Sequence, residues 1–168
     1  MSSLANHFGD DAHLCRVMPN TPALIGEGVS AYALSSNCDE KDGQTVERVM
    51  GCCGKVLAVA ETLLDAVTGV SGSGPAYVYR FIEALIEGGI TAGLPPKIAR
   101  ECAVQTVIGA AKMVQCSQTE PAELKHNVMS AGGTTAYGLL SLEENGFAFS
   151  VMKAILAATE RSRELGKK

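Results

Sequence analysis

The sequence predicts an α/β segment followed by an all-α region, and three observations point there. Short β-prone runs alternate with one amphipathic helix up to about residue 62, and the texture then changes near residues 65–75. Beyond that point the chain consists of long apolar helical stretches punctuated by proline and glycine. Hydrophobic residues make up 46% of the 168 and charged residues 19%, so a packed core is expected rather than disorder.

The first predicted strand covers residues 14–18 and stops at Pro19-Asn20-Thr21-Pro22, where proline disfavours regular structure. A second is predicted over residues 29–34. Residues 39–50 read as a helix with Val46, Val49 and Met50 on one side, closed by Gly51 and Gly54. A third strand over residues 55–59 completes a small sheet. Three strands alone are expected to leave bare edges and one uncovered face.

The helical part opens at Pro75. Arg80, Glu83 and Glu87 form one narrow polar stripe on a helix that is otherwise apolar. The next helix begins at Pro95-Pro96, where proline suits a first turn, and runs to about Cys116. Its residues 103–114 are apolar around most of the circumference, so this helix must be surrounded, and a second subunit is the expected cover. A shorter helix follows Thr119 and Pro121. The break Ser130-Ala131-Gly132-Gly133-Thr134-Thr135 opens another, which ends at Asn145-Gly146. The last helix spans residues 147–165, with Gly166 as its stop and Lys167-Lys168 favourable at its C-terminal dipole.

Composition excludes several classes. A net charge of −4 argues against a dedicated nucleic-acid binder. No apolar run reaches the length of a membrane span, and residues 1–11 lack the pattern of a secretory signal. The default compartment is cytoplasmic, with the mitochondrion left open. The six cysteines show no zinc-like spacing with His7, His13 or His126, so no metal is expected, and they are read as buried, reduced thiols.

Two motifs invite chemistry. Gly69-Val70-Ser71-Gly72-Ser73-Gly74 is neither the GxGxxG fingerprint nor a GxSxG elbow, and it reads as a tight entry into a helix where backbones approach closely. In Ser130–Thr135, two glycines followed by two threonines at a helix start would offer free N–H groups, hydroxyl donors and the positive end of the helix dipole. Such a start binds a carboxylate or phosphate. Ordinary N-capping by threonine explains the same residues equally well. Glu61, Asp65 and Glu123 are polar candidates whose default placement is towards solvent, and Lys125-His126 reads as helix surface.

Three stretches, taken together, carry a resemblance. They are Arg16-Val17-Met18-Pro19-Asn20-Thr21-Pro22, then Asp65-Ala66-Val67-Thr68-Gly69-Val70-Ser71-Gly72-Ser73-Gly74-Pro75-Ala76-Tyr77, and Asn127-Val128-Met129-Ser130-Ala131-Gly132-Gly133-Thr134-Thr135. In order and spacing, from about residue 15 to the end, the chain resembles pyrroline-5-carboxylate reductase. The resemblance implies that residues 1–62 are the C-terminal portion of a Rossmann NAD(P)-binding domain. Residues 63–168 would then be a helical substrate-binding and dimerisation domain like the C-terminal domain of 6-phosphogluconate dehydrogenase. It implies NADPH or NADH as cofactor, and reduction of 1-pyrroline-5-carboxylate to L-proline by hydride transfer, the last step of proline synthesis. It also implies a homodimer, with larger rings of dimers occurring in the family.

By the same resemblance the Gly133-Thr134-Thr135 helix start holds the substrate carboxylate, and the Thr135 hydroxyl approaches the ring nitrogen as the catalytic contact. Ser130 shapes the pocket and Glu61 lies close to the substrate. Asn127 reaches the nicotinamide ribose, and Asn20 lies near the nicotinamide end. Ala131 departs from the family's usual proline. The family's opening strand and glycine-rich phosphate loop have no counterpart in the sequence. The expectation is therefore a truncated reductase, with a non-catalytic module that pairs with full-length subunits as the alternative.

Overall fold

The computed structural model describes residues 1–9 and 11–166. It divides into two compact units, one made of Met1–Ala76 with Met152–Lys168 and the other of Tyr77–Val151.

The first unit is built on a three-stranded sheet in the order β1-β2-β3, comprising β1 (Cys15–Met18), β2 (Gly28–Leu34) and β3 (Gly54–Ala58). β1 pairs antiparallel with β2, and β2 runs parallel to β3. The parallel pair needs a crossover, which is helix α2 (Glu40–Met50). α2 starts where the sequence requires it. Asp39 accepts from the backbone N–H groups of Lys41 and Asp42, and Asp42 accepts from the N–H of Asp39, a reciprocal capping box. The helix does not close at Gly51, which stays helical and leads into a 3-10 turn (Gly51–Cys53). Closure comes at Gly54, whose φ of 135° only glycine tolerates.

The central strand has no bare face, although Lys55 and Leu57 of β3 stay exposed. Alternate residues of β2 point to opposite faces, and both sets are buried: Ala31 (0% exposed) and Ala33 (3%) on one, Ser30 (2%) and Tyr32 (4%) on the other. Leu64, from the short helix α3 (Leu64–Val67), packs with Ala31 and Ala33, and Met18, Val59 and Val67 border them. α2 covers the opposite face. There the Tyr32 hydroxyl donates to Glu47 at 3.0 Å and lies 3.4 Å from where a Cβ on Gly43 would sit. Sequence reading supplied the strands but not the helix turn that caps them.

Helix α1 (Ser2–Phe8) has no counterpart among the expected elements. The glycine cluster behaves as a close-approach segment. Residues Thr68–Gly72 form one π-helical turn, and a Cβ on Gly69 would collide with Thr159 Oγ1 and lie 2.8 Å from the Ile155 carbonyl. Thr159 belongs to α8 (Phe147–Gly166), which Asp65 also secures by accepting from Ser162 Oγ at 2.6 Å. Lys167 and Lys168, expected at the dipole of this helix, lie outside the described residues.

The second unit is helical: α4 (Gly74–Thr91), α5 (Pro96–Cys116), α6 (Pro121–Asn127), α7 (Thr134–Glu144) and the start of α8. Arg80 Nη1 lies 3.5 Å from Glu83 and from Glu87, so the expected polar stripe is a charge network. Phe81 of α4 meets Phe147 with ring centroids 5.8 Å apart. Among the described residues α4, α6 and α7 bury nothing, and α5 buries only Ala99 and Ala103. Apolar side chains such as Tyr79, Ile98, Met113, Val128, Tyr137 and Leu140 stand exposed. This unit therefore presents the unburied helix faces expected of a domain completed by a partner. The cysteines depart from expectation. All six are free, but Cys52, Cys102 and Cys116 are exposed and the other three only half-buried, two of the exposed ones lying on α5.

Candidate functional site

The break before α7 has a defined shape. Val128–Gly133 is a non-helical link in which Gly132 takes φ 68°, the left-handed region that glycine adopts without strain. The Gly133 N–H donates to the Ser130 carbonyl at 2.9 Å, which folds the link back on itself. A Cβ on Gly133 would collide with Ser130 Oγ, so the second glycine is a matter of space rather than of dihedral angle.

Gly133 is the N-cap of α7, and no side chain caps the helix. Thr134 and Thr135 occupy its first two positions. Capping by threonine, one of the two explanations open from sequence, is therefore not what these hydroxyls do. The N–H groups of Thr134 and Thr135, in the first turn, have no intrahelical acceptor, and the residues are exposed and half-buried respectively. Backbone N–H groups, a helix dipole and hydroxyls together suit a carboxylate. Ser130, Gly133, Thr134 and Thr135 are thus brought together, and Asn127 ends α6 just before them.

Asn20 and Glu61 lie in the first unit, each with partners of its own. Asn20 follows β1, where its Oδ1 accepts from the Val29 N–H at 2.9 Å. Its Nδ2 donates to Ser71 Oγ at 3.2 Å and to the Ser71 carbonyl at 3.3 Å. Both ends of the amide are committed, tying the turn to β2 and to the π-helical turn. Glu61 accepts from the N-terminal ammonium of Met1 and lies 3.4 Å from Arg16 Nη1. The ammonium holds its carboxyl below the usual range, partial burial opposes, and Arg16 adds to the lowering. It lines a cavity of about 380 Å³ with Met1, Leu14 and Ser35–Asn37.

Sequence spacing missed one cluster. His13, Cys38 and Asp42 bring an imidazole nitrogen, a thiol and a carboxylate within 4.8 Å of one another. The N–H of Asp39, then the His13 ring, hold the Asp42 carboxyl below its ordinary value. No linear signal reveals the cluster, because His13 is joined to the other two only through the β1–β2 pairing.

A family profile described as pyrroline-5-carboxylate reductase dimerisation matches residues 61–165. The chain belongs to the pyrroline-5-carboxylate reductase family. It is 47% identical over 167 residues to a pyrroline-5-carboxylate reductase of Arabidopsis thaliana, covering 99% of this chain and 60% of that relative. It is 47% identical over 161 residues to one of Synechocystis sp., covering 96% and 60%. Among solved structures it is similar to the Plasmodium falciparum pyrroline carboxylate reductase with NADP bound, at 40% identity and a TM-score of 0.93, covering 99% of this chain and 67% of that one. The Coxiella burnetii pyrroline-5-carboxylate reductase gives 32% identity and a TM-score of 0.94, covering 98% and 62%.

The chain thus spans about 60% of the length of the curated reductases it matches. The fold class is the one expected, the C-terminal portion of a Rossmann domain followed by the family's helical dimerisation domain. Among the described residues no helix is long and apolar enough to cross a membrane.

Proposed function

We propose that this chain supplies the substrate-binding and dimer-forming part of a pyrroline-5-carboxylate reductase, which reduces 1-pyrroline-5-carboxylate to L-proline in the last step of proline synthesis. The observation that carries this reading is the uncapped start of α7, where Thr134 and Thr135 offer N–H groups and hydroxyls to an anion and Gly133 keeps the approach clear of a side chain. The substrate carboxylate docks there and Ser130 borders it. With the carboxylate fixed, the Thr135 hydroxyl, on the inner and less exposed side of the helix start, is placed for the ring nitrogen. Positioning provides much of the rate, because a protonated imine is already electrophilic. Glu61 is assigned near the substrate, and Asn20 and Asn127 near the nicotinamide end, on the resemblance alone. The family match beginning at residue 61 supports a domain boundary between residues 62 and 63.

In this family's reaction NADPH or NADH supplies the hydride. The chain's own strand-to-helix turn does not suit the cofactor's pyrophosphate. Between β2 and α2 there is no glycine-rich turn, and Asp39, Glu40 and Asp42 make the helix start acidic where a phosphate site needs it neutral or basic. Cofactor grip is therefore assigned to residues other than these.

The exposed apolar faces of α4, α5 and α7 support a homodimer, and a higher oligomer of dimers is carried over from the resemblance alone. The reading includes cytoplasmic residence, with the mitochondrion as the other compartment. The acidic start of α2 favours a second reading, a non-catalytic module that pairs with full-length subunits.

NAD(P)H oxidation with 1-pyrroline-5-carboxylate separates the two. The chain is assayed alone and after co-expression with a full-length reductase subunit. Turnover by the chain alone removes the second reading, and failure to co-purify with the full-length subunit removes the pairing on which it depends. If the pair forms but Thr135→Ala in an active reductase leaves the kinetics unchanged, the substrate-site assignment is wrong.

A further inference from the structure

We propose that His13, Cys38 and Asp42 form a binding site for a borderline-soft divalent cation of the zinc type. The three residues come from separate segments: His13 leads into β1, Cys38 sits in the turn after β2, and Asp42 lies in the first turn of α2. Their donor atoms all fall within 4.8 Å of one another, and His13 Nδ1 lies 2.7 Å from Asp42 Oδ2.

Zinc bonds to nitrogen and oxygen at about 2.0–2.2 Å and to sulfur at about 2.3 Å, which puts tetrahedral ligand atoms roughly 3.3–3.6 Å apart. The His13–Asp42 pair has to open by about 0.6–0.9 Å to reach that spacing, and no pair has to close by more than about 1.2–1.5 Å. Thiolate with imidazole and carboxylate selects zinc or cobalt over magnesium or calcium, which take oxygen ligands. Cys38 thiolate and Asp42 carboxylate together cancel the charge of the ion.

The site is held from behind, as metal ligands usually are. The Cys38 N–H donates to the Ser35 carbonyl at 3.1 Å, and the thiol, which donates to the Leu14 carbonyl at 3.5 Å in the ion-free chain, gives up that bond when it ionises. Leu14, next to His13, is bonded to Ser35 in both directions, its N–H to Ser35 Oγ at 3.0 Å and its carbonyl to the Ser35 N–H at 2.9 Å. Asp42 Oδ2 accepts from the Asp39 N–H at 2.9 Å. His13 and Cys38 are thus fixed through one shared residue, and Asp42 through the cap of α2.

Without an ion, the Nδ1 proton of His13 bridges to Asp42. The cation takes the place of that proton, which moves to Nε2 of the neutral ring or to solvent, and the thiol proton of Cys38 leaves to solvent. Three protein ligands leave the fourth position to water on the exposed side, where His13 lies. The ion would clip the entry of β1 to the start of α2.

The test uses the whole chain carrying Cys52→Ser and Cys53→Ser, because those two neighbouring thiols, 3.5 Å apart, also attract soft metals. Cobalt(II) is titrated in and then displaced by zinc. The expected result is one equivalent per chain, with tetrahedral ligand-field bands and a thiolate-to-cobalt charge-transfer band. Cys38→Ser abolishes the charge-transfer band, and His13→Gln weakens binding by roughly tenfold or more, since each removes one of three ligands. Circular dichroism establishes that both variants keep the parent's helix content. Absence of stoichiometric binding overturns the proposal. So does parent-like affinity and spectrum in both variants, which would place the ion on Cys102, Cys116 or surface carboxylates.

Discussion

Asn20→Ala is expected to destabilise the first unit, and the size of the effect can be worked out from three hydrogen bonds. The amide accepts from the Val29 N–H at 2.9 Å and donates to both oxygens of Ser71 at 3.2 and 3.3 Å. Removing it leaves the Val29 N–H without this partner at the head of β2. A buried unsatisfied donor costs about 1–3 kcal/mol, and the half-buried setting of Asn20 lets water recover part of that. The Ser71 hydroxyl rebonds to solvent at little cost. The expected loss is therefore about 1–2 kcal/mol, or about 2–8 °C in melting temperature for a chain of this size. Urea and thermal unfolding followed by circular dichroism measure it. Ser71→Ala and the double variant complete a cycle in which the pair should couple by about 0.5–1 kcal/mol, because the two side chains share a bond. A midpoint equal to the parent's, or strictly additive losses, would refute the view that this amide ties the turn to β2 and the π-helical turn.

Gly54→Ala should be more damaging. At φ 135° a side chain is strained by about 1–3 kcal/mol, and the new Cβ would lie 2.5 Å from the Gly28 nitrogen and 2.8 Å from its carbonyl carbon, adding about 1–3 kcal/mol of overpacking. An unchanged urea midpoint would mean that the start of β3 is not held against β2 in this way. For Glu61 the folded carboxyl pKa is lowered by the Met1 ammonium, so its stabilisation is present above the ordinary value of 4.5 and is lost as pH falls through the lowered one. Unfolding compared between the parent and Glu61→Gln should show a gap that is widest near neutrality and narrows on acidification, and a gap independent of pH contradicts the pairing. Thr135→Ala, measured in an active reductase, should lower kcat/KM by roughly 10- to 100-fold, the equivalent of about 1.5–3 kcal/mol for a hydrogen bond to a charged group. Thr135→Ser should restore most of it, and failure of that rescue would point to a packing role.

The sequence by itself determined the family and the elements from β1 onward, apart from α3, but not α1. Strand and helix limits came from local signals: Pro19 and Pro22 ending β1, Asp39 starting α2, Pro96 starting α5, Gly132-Gly133 opening α7. These act over three or four residues, so they are visible without any tertiary contact. The anion-binding role proposed for the Gly133-Thr134-Thr135 helix start also depends on residues adjacent in the chain, so it could be put forward from sequence. Tertiary structure alone decided what distant residues do to one another. It put Leu64 over the face of β2 that strand patterning left bare, and it committed the Asn20 amide to Val29 and Ser71. It also left Cys52, Cys102 and Cys116 exposed where composition suggested burial, and gathered His13, Cys38 and Asp42 across the β1–β2 pairing. Which atoms meet there depends on strand register and on where a helix lands, and both follow from burying whole faces rather than from any local run of residues.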